Sequence, residues 1–301
     1  MKDTFSISNG AGCIKTMPEF LAALKGAGTE ITLGSVTVEP RQGNLGEVYY
    51  HDDVGNWSVN ALGLPNYGMV YYLGLLPGMI HRAQEVGKRV WVSIAGFTPE
   101  EYAKLAEYFL HKGAHGIEVN LACRNVWDGG KNKSVASHDP GLCRRISEHL
   151  SKKVSKGAHL RYKFAPDTNY GALNEIVERS NQYDFVRGYV ATNALGGQTK
   201  LKQNGMFALN FRDREDGELL REGSVGGSLV HKHAVALVKL INPLMSSDQT
   251  LVGCGGVTDG ATAKAMLDAG ANQLQTTSAW LKFGPKIVSD IFAEMVDLER
   301  L

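Results

Sequence analysis

Val90-Trp91-Val92-Ser93-Ile94-Ala95-Gly96-Phe97, then Thr98-Pro99-Glu100-Glu101 with Leu105, Tyr108, Phe109 and Leu110 behind it, then Gly116-Ile117-Glu118-Val119-Asn120-Leu121-Ala122-Cys123: this stretch decides the fold. The two outer runs are apolar and rich in β-branched residues, which suits strands buried on both faces. Between them Thr98 reads as an N-cap, Pro99 takes the first helical position and Gly113 stops the helix. A strand that returns through a helix to a second strand pairs in parallel.

The same alternation runs outward in both directions. Strand-like runs recur at 31–38, 160–165, 185–192, 250–254 and 273–277, and helical periodicity at 17–25, 140–154, 171–180, 229–241, 260–269 and 285–298. About eight such units in roughly 250 residues predict an α/β protein of the (β/α)8 or TIM-barrel type rather than a doubly wound sheet. With no low-complexity block or Ser/Pro-rich linker, residues 1–301 read as a single domain.

Composition narrows the function. The formal charge is +1 with the charges scattered, so there is no basic stripe for nucleic acid and no polybasic membrane anchor. Met1–Phe5 shows no charged-then-apolar leader, and no apolar run reaches the roughly 18 residues of a membrane span, so a cytoplasmic protein is expected. Cys13, Cys123, Cys143 and Cys254 are widely spaced without a Cys-x-x-Cys pair; neither a disulfide framework nor a metal site is indicated. Small-molecule chemistry remains.

In such a barrel the chemistry belongs at the carboxyl ends of the strands. There the sequence places Gly34 and Ser35, Asn120 and Cys123, Lys163, Thr192 and Asn193, Gly255 and Gly256, and Thr277 and Ser278. A thiol at 123 between Asn120 and Asn125 can act as acid or base while the amides hold a polar planar ligand. Lys163 lies in an apolar strand, where a buried ammonium requires an anionic or strongly polar partner; a cofactor that becomes anionic on reduction would be one. A lysine snorkelling from a strand end is the plainer alternative.

Two glycine-rich turns, 223–228 and 253–260, each open a helix, and backbone N–H groups freed of side chains can close on a phosphate. Either alone is more economically a tight turn requiring positive φ; the pair, with Thr277 and Ser278, favours phosphate. No phosphate loop ending in Gly-Lys-Ser/Thr is present, so nucleotide hydrolysis is not suggested. Residues 58–68 read as a rim loop whose backbone around Gly63 can bind a carboxylate while Asn60 reads a ring edge, or as an ordinary turn.

Taken together, residues 58–68, Asn120–Asn125, Lys163, Asn193, Gly226-Gly227 and 253–256 resemble, in the same order, the dihydroorotate dehydrogenase family, and among its members the soluble, FMN-only, cysteine-base class. The likeness runs from about Phe5 to Trp280. It implies that Cys123 takes the C5 proton of dihydroorotate as hydride leaves C6 for flavin N5. It further implies that Asn60, Asn120, Asn125 and Asn193, with Ala194 beside the last, hold the pyrimidine ring, with the N–H groups of Leu62, Gly63 and Leu64 on its carboxylate. Lys163 would face the N1/O2 edge of the flavin. Ala11, Gly34, Ser35, Asn120 and Thr192 would line the FMN, and Gly226, Gly227, Gly255, Gly256, Thr277 and Ser278 would take its phosphate. Fumarate as electron acceptor and a homodimer are likewise implied by the resemblance.

The pattern departs from the family in three places. Leu33-Gly34-Ser35 stands where lysine precedes serine, Ala194 where serine is common, and Ala122 and Arg124 flank the thiol where serine and proline are usual. The segment 126–140 is longer than usual and is expected to act as an active-site loop or to be a surface insertion. These changes near the ligand keep open an FMN oxidoreductase acting on another dihydropyrimidine or related cyclic amide, and the late glycine loops keep open a non-redox barrel binding a phosphorylated ligand.

Overall fold

A computed structural model describes residues 5–123, 127–128, 131–132, 135–212 and 217–299. Eight parallel strands line its centre: β1 (Ser6–Asn9), β2 (Glu30–Val36), β3 (Arg89–Ile94), β4 (Gly116–Asn120), β5 (Leu160–Lys163), β6 (Val186–Ala191), β7 (Thr250–Cys254) and β8 (Gln273–Thr276). They lie side by side in chain order, with β8 returning to β1, and form a (β/α)8 barrel. Strand β2 is buried at every position, as expected of a strand packed on both faces.

Strand β1 escapes the sequence reading, so the strand carrying Ser35 is the second of the barrel. Its four residues, Ser-Ile-Ser-Asn, are too short and too polar to announce a strand, yet Asn9 closes the barrel. No ladder joins β1 to β2; instead the Asn9 side chain donates to the Thr32 carbonyl at 2.7 Å and accepts from the Thr32 amide at 3.0 Å. Asn9 is buried. Substituting Asn9→Ala leaves both Thr32 groups without a partner, and at about 1–3 kcal/mol for each orphaned buried group the loss should be about 3 kcal/mol. Urea unfolding should show a lower midpoint at unchanged slope. An unchanged midpoint would mean that β1 and β2 are held together by other contacts.

The helices are α1 (Met17–Leu24), α2 (Gly68–Glu85), α3 (Pro99–His111), α4 (Pro140–Ser151), α5 (Tyr170–Ser180), α6 (Ser228–Ile241), α7 (Gly260–Asp268), α8 (Ser278–Phe283) and α9 (Ile287–Glu299). Helix α3 begins as its sequence dictates: Thr98 accepts from the Glu101 amide, and Tyr102, Leu105, Ala106 and Phe109 form the buried face. Helix α2 is not foreseen, because Gly74, Pro77 and Gly78 interrupt its signal. Its buried residues Met69, Tyr72, Leu76, Met79 and Ala83 nevertheless fall on one face, and Pro77 is exposed, away from that face.

A second correction concerns the glycine-rich run after residue 222. Glu222–Gly227 is a strand, paired antiparallel with Trp57–Asn60 on one side and Leu195–Thr199 on the other, with Tyr49–Asp52 completing a four-stranded sheet. Segment 58–68 accordingly starts as a strand before it becomes a loop. This sheet has its own small core of Val59, Ala61, Ala208, Leu209, Phe211 and Val225. Of 126–140, Trp127–Asp128 pairs with Lys131–Asn132, and Ala136–His138 is a short 3-10 turn leading into α4. Among the described residues no helix is long and apolar enough to cross a membrane.

Candidate active site

The carboxyl ends of the barrel strands and the antiparallel sheet enclose one cavity of about 1220 Å³, its open mouth included. Ser35, Asn120, Lys163, Thr192, Asn193, Gly255, Gly256, Thr277 and Ser278 reach it from the barrel rim, Ala11 from the turn after β1, and Cys123 and Ala194 from the loops after β4 and β6. The antiparallel sheet and its loop bring Asn60, Leu62, Gly63, Leu64, Gly226 and Gly227. Two expected residues fall outside this group. Gly34 is not among the lining residues: its amide donates to Ile14 and its carbonyl accepts from Gly12, and a Cβ there would lie 2.5 Å from the Ser93 carbonyl oxygen. Asn125 and Arg124 lie outside the described residues.

The lining also includes residues the sequence reading did not name individually: Lys15 and Tyr49 outside the stretches it singled out, and Ser58, Ser224 and Cys254 inside them. Cys254 lies inside a turn singled out only for its glycines. Tyr49, Ser58 and Ser224 arrive through antiparallel pairings between segments far apart in sequence, a kind of contact that no local pattern signals.

Three amides are fixed before any ligand arrives. Asn120 donates to Ser35 Oγ at 3.0 Å, and its Oδ1 accepts from the Ala122 amide at 3.1 Å and from Asn193 Nδ2 at 3.0 Å. Asn193 Oδ1 in turn accepts from the Ala194 amide at 2.8 Å, and Asn60 donates to the Ser224 carbonyl at 3.2 Å. Such cross-bracing holds donors and acceptors at set angles, which is what recognition of a flat amide ring requires. Cys123 sits beside them and is the one cysteine of four that is not buried. Burial pushes the thiols of Cys13 and Cys143 well above the ordinary range, so neither is suited to proton transfer.

Beneath the cavity Lys163 Nζ lies 3.3 Å from Glu118 Oε1, 3.3 Å from Gln275 Oε1 and 3.8 Å from Cys254 Sγ. Burial works against its charge, but the sulfur of Cys254 and the Glu118 carboxylate outweigh it and hold the ammonium protonated. The snorkelling alternative is therefore excluded: the side chain is 4% exposed and points inward.

The far wall suits an anion. Asp259 and Thr98 cap α7 and α3 with their side chains, and α1, α4 and α5 are capped in the same way, whereas α6 starts at Gly227 with no side-chain cap. Thr277, preceding α8, also offers none. Both starts line the cavity, beside Gly255 and Gly256 at φ +124 and +72. At Gly256 a Cβ would come 2.6 Å from His231 Cβ, so only glycine lets this backbone approach. Among the described residues no cluster of His, Cys, Asp or Glu could hold a metal.

Comparison with known proteins gives a consistent result. Residues 4–298 match the family model described as dihydroorotate dehydrogenase. The chain is 29% identical to dihydroorotate dehydrogenase A (fumarate) of Lactococcus lactis subsp. lactis (strain IL1403), over 98% of this chain and 89% of that protein. It is 27% identical to the dihydroorotate dehydrogenases (fumarate) of Saccharomyces mikatae and of Saccharomyces cerevisiae (strain ATCC 204508 / S288c), in each case over 99% of this chain and 90% of the relative.

Proposed function

The chain belongs to the dihydroorotate dehydrogenase family, and on that premise we propose that it binds FMN and oxidises dihydroorotate to orotate, with Cys123 as the base and fumarate as the eventual electron acceptor. The observation that carries this reading is the shared cavity: one half-buried thiol, three amides held by hydrogen bonds, a buried ammonium and two uncapped helix starts, all facing the same space.

The residues present fit FMN. The uncapped start of α6 and the close-packed Gly255-Gly256 backbone suit its phosphate, and Lys163 suits the pyrimidine edge of the flavin, where negative charge gathers on reduction. Bound FMN would supply the two-electron acceptor for the hydride that leaves C6 of the substrate. The protein's own part is to position the substrate and move a proton. Asn60, Asn120 and Asn193 orient the ring, the backbone of Leu62–Leu64 receives the carboxylate, and the Cys123 thiolate takes the C5 proton onto Sγ. The cross-braced amides remove the freedom of the reacting ring before chemistry begins. Asn125 is assigned to the same ring by resemblance alone.

Fumarate is supported by the names of the similar proteins from Lactococcus and Saccharomyces. Purified protein should release FMN on acid denaturation and convert dihydroorotate to orotate with fumarate present, followed by orotate absorbance. FMN-loaded protein that is reduced by dihydroorotate but not reoxidised by fumarate would overturn the choice of acceptor alone. A second reading, oxidation of a different dihydropyrimidine, is favoured by one observation: position 34 has no room for a side chain, so the charge usual there in the family is missing. It predicts bound FMN that dihydroorotate fails to reduce.

A further inference from the structure

Barrels of this type usually fill their axis with apolar side chains; here the axis carries a column of alternating charges. Arg89 at the foot of β3 pairs with Glu30 Oε1 at 2.9 Å, and Glu30 Oε2 lies 3.2 Å from Arg161 Nη1. Arg161 Nε lies 3.2 Å from Glu118 Oε2, close enough for ion pairing though not aligned as a hydrogen bond, and Glu118 Oε1 lies 3.3 Å from Lys163 Nζ at the cavity floor. Arg161 also donates to Thr32 Oγ1 at 3.1 Å and stacks on Trp91 at 4.0 Å. The side chains of Glu30, Arg161, Glu118 and Lys163 are at most 4% exposed, so water screens these charges little.

Each carboxylate in the column is shared between two cations. Glu118 therefore neutralises Lys163 only in part; the four buried groups balance two against two, and Arg89, 47% exposed at the foot of the column, adds a third cation on the solvent side. We propose that Arg161 is a positioning residue that acts through Glu118: by engaging one oxygen of that carboxylate it keeps the Lys163 ammonium positive toward the cavity, and so tightens binding of the reduced, anionic FMN relative to the oxidised form. Arg161 does not line the cavity; its effect is transmitted by charge alone. This inference rests on the flavin reading above.

Three FMN-loaded variants test it through the ratio of oxidised to reduced FMN affinity, read as the flavin midpoint potential by spectroelectrochemical titration. Arg161→Met should weaken reduced FMN relative to oxidised by about tenfold, which for a two-electron couple is a midpoint about 30 mV lower. Glu118→Gln should shift the ratio the opposite way. The double variant Arg161→Met/Glu118→Gln removes one charge of each sign and should return to within about threefold of the parent. A merely structural role would not give opposite signs that cancel. Should Arg161→Met fail to fold, the Glu118→Gln shift and its reversal in the double variant decide the matter. Single variants that move the ratio in the same direction, or by less than about threefold, overturn the inference while leaving bound FMN in place. Wild-type protein that binds no FMN overturns the flavin reading and this inference with it.

Discussion

Cys123→Ser is expected to slow reduction of the bound flavin by dihydroorotate by about 100- to 10,000-fold at neutral pH, the range over which a positioned acid or base contributes to a proton transfer. A serine hydroxyl fits the same space but is a far weaker base, because very little of it ionises near neutrality. FMN affinity should be unchanged, since Lys163 and the wall proposed to hold the phosphate lie elsewhere in the cavity. The contrast with the other thiols sharpens the test: Cys143→Ser, at a buried site bonded to the Ala136 carbonyl, should leave the reduction rate as it is. Stopped-flow traces at 450 nm under anaerobic conditions separate the two cases, and a Cys123→Ser protein reduced at the parent rate removes Cys123 from the mechanism.

Lys163→Met should produce two losses at once. Reduction of the flavin should slow, because the positive charge proposed to face its pyrimidine edge is gone. Stability should also fall, because breaking one side of a buried ion pair costs about 3–5 kcal/mol. The lower end of that range is expected, since Glu118 keeps Arg161 and accepts from Gln275 Nε2 at 2.9 Å. The pH dependence follows from the same contact. Burial raises the Glu118 carboxyl, but Lys163 and then Arg161 hold it below its ordinary range. A carboxylate depressed in the folded state adds stability above its unfolded value, and that stability is lost as pH falls through the folded value. Without Lys163 the folded value rises, so acid unfolding of Lys163→Met should begin at a higher pH than in the parent. Circular dichroism across an acid titration reads this directly, and coincident curves would mean that Lys163 contributes nothing to holding Glu118 ionised.

The barrel was legible from residues 90–123 outward because long apolar strands and well-capped helices carry their own signals. The exceptions have physical causes. Ser6–Asn9 is too short to show a period, and α2 hides behind Gly74, Pro77 and Gly78 although its buried face is regular. Lys163 stood out because a lysine within an apolar strand has few explanations. Its true neighbours, Glu118 on the adjoining strand β4 and Gln275 on β8, did not, because neither lies near it in sequence. Asn60 was visible as a rim residue, but its bond to the Ser224 carbonyl spans 164 positions, and the sheet that makes it depends on pairings a local reading does not contain. The glycines at 226 and 227 illustrate the same limit: their place at an anion-suited wall was expected, their strand conformation was not.

The central claim is that a thiol, a set of braced amides and a buried ammonium around this one cavity serve flavin-dependent oxidation of dihydroorotate. Anaerobic titration of the purified protein with dihydroorotate tests it most directly. The account predicts a yellow protein whose absorbance near 450 nm bleaches stoichiometrically as orotate forms. A colourless protein, or a yellow one that no concentration of dihydroorotate bleaches, would contradict it.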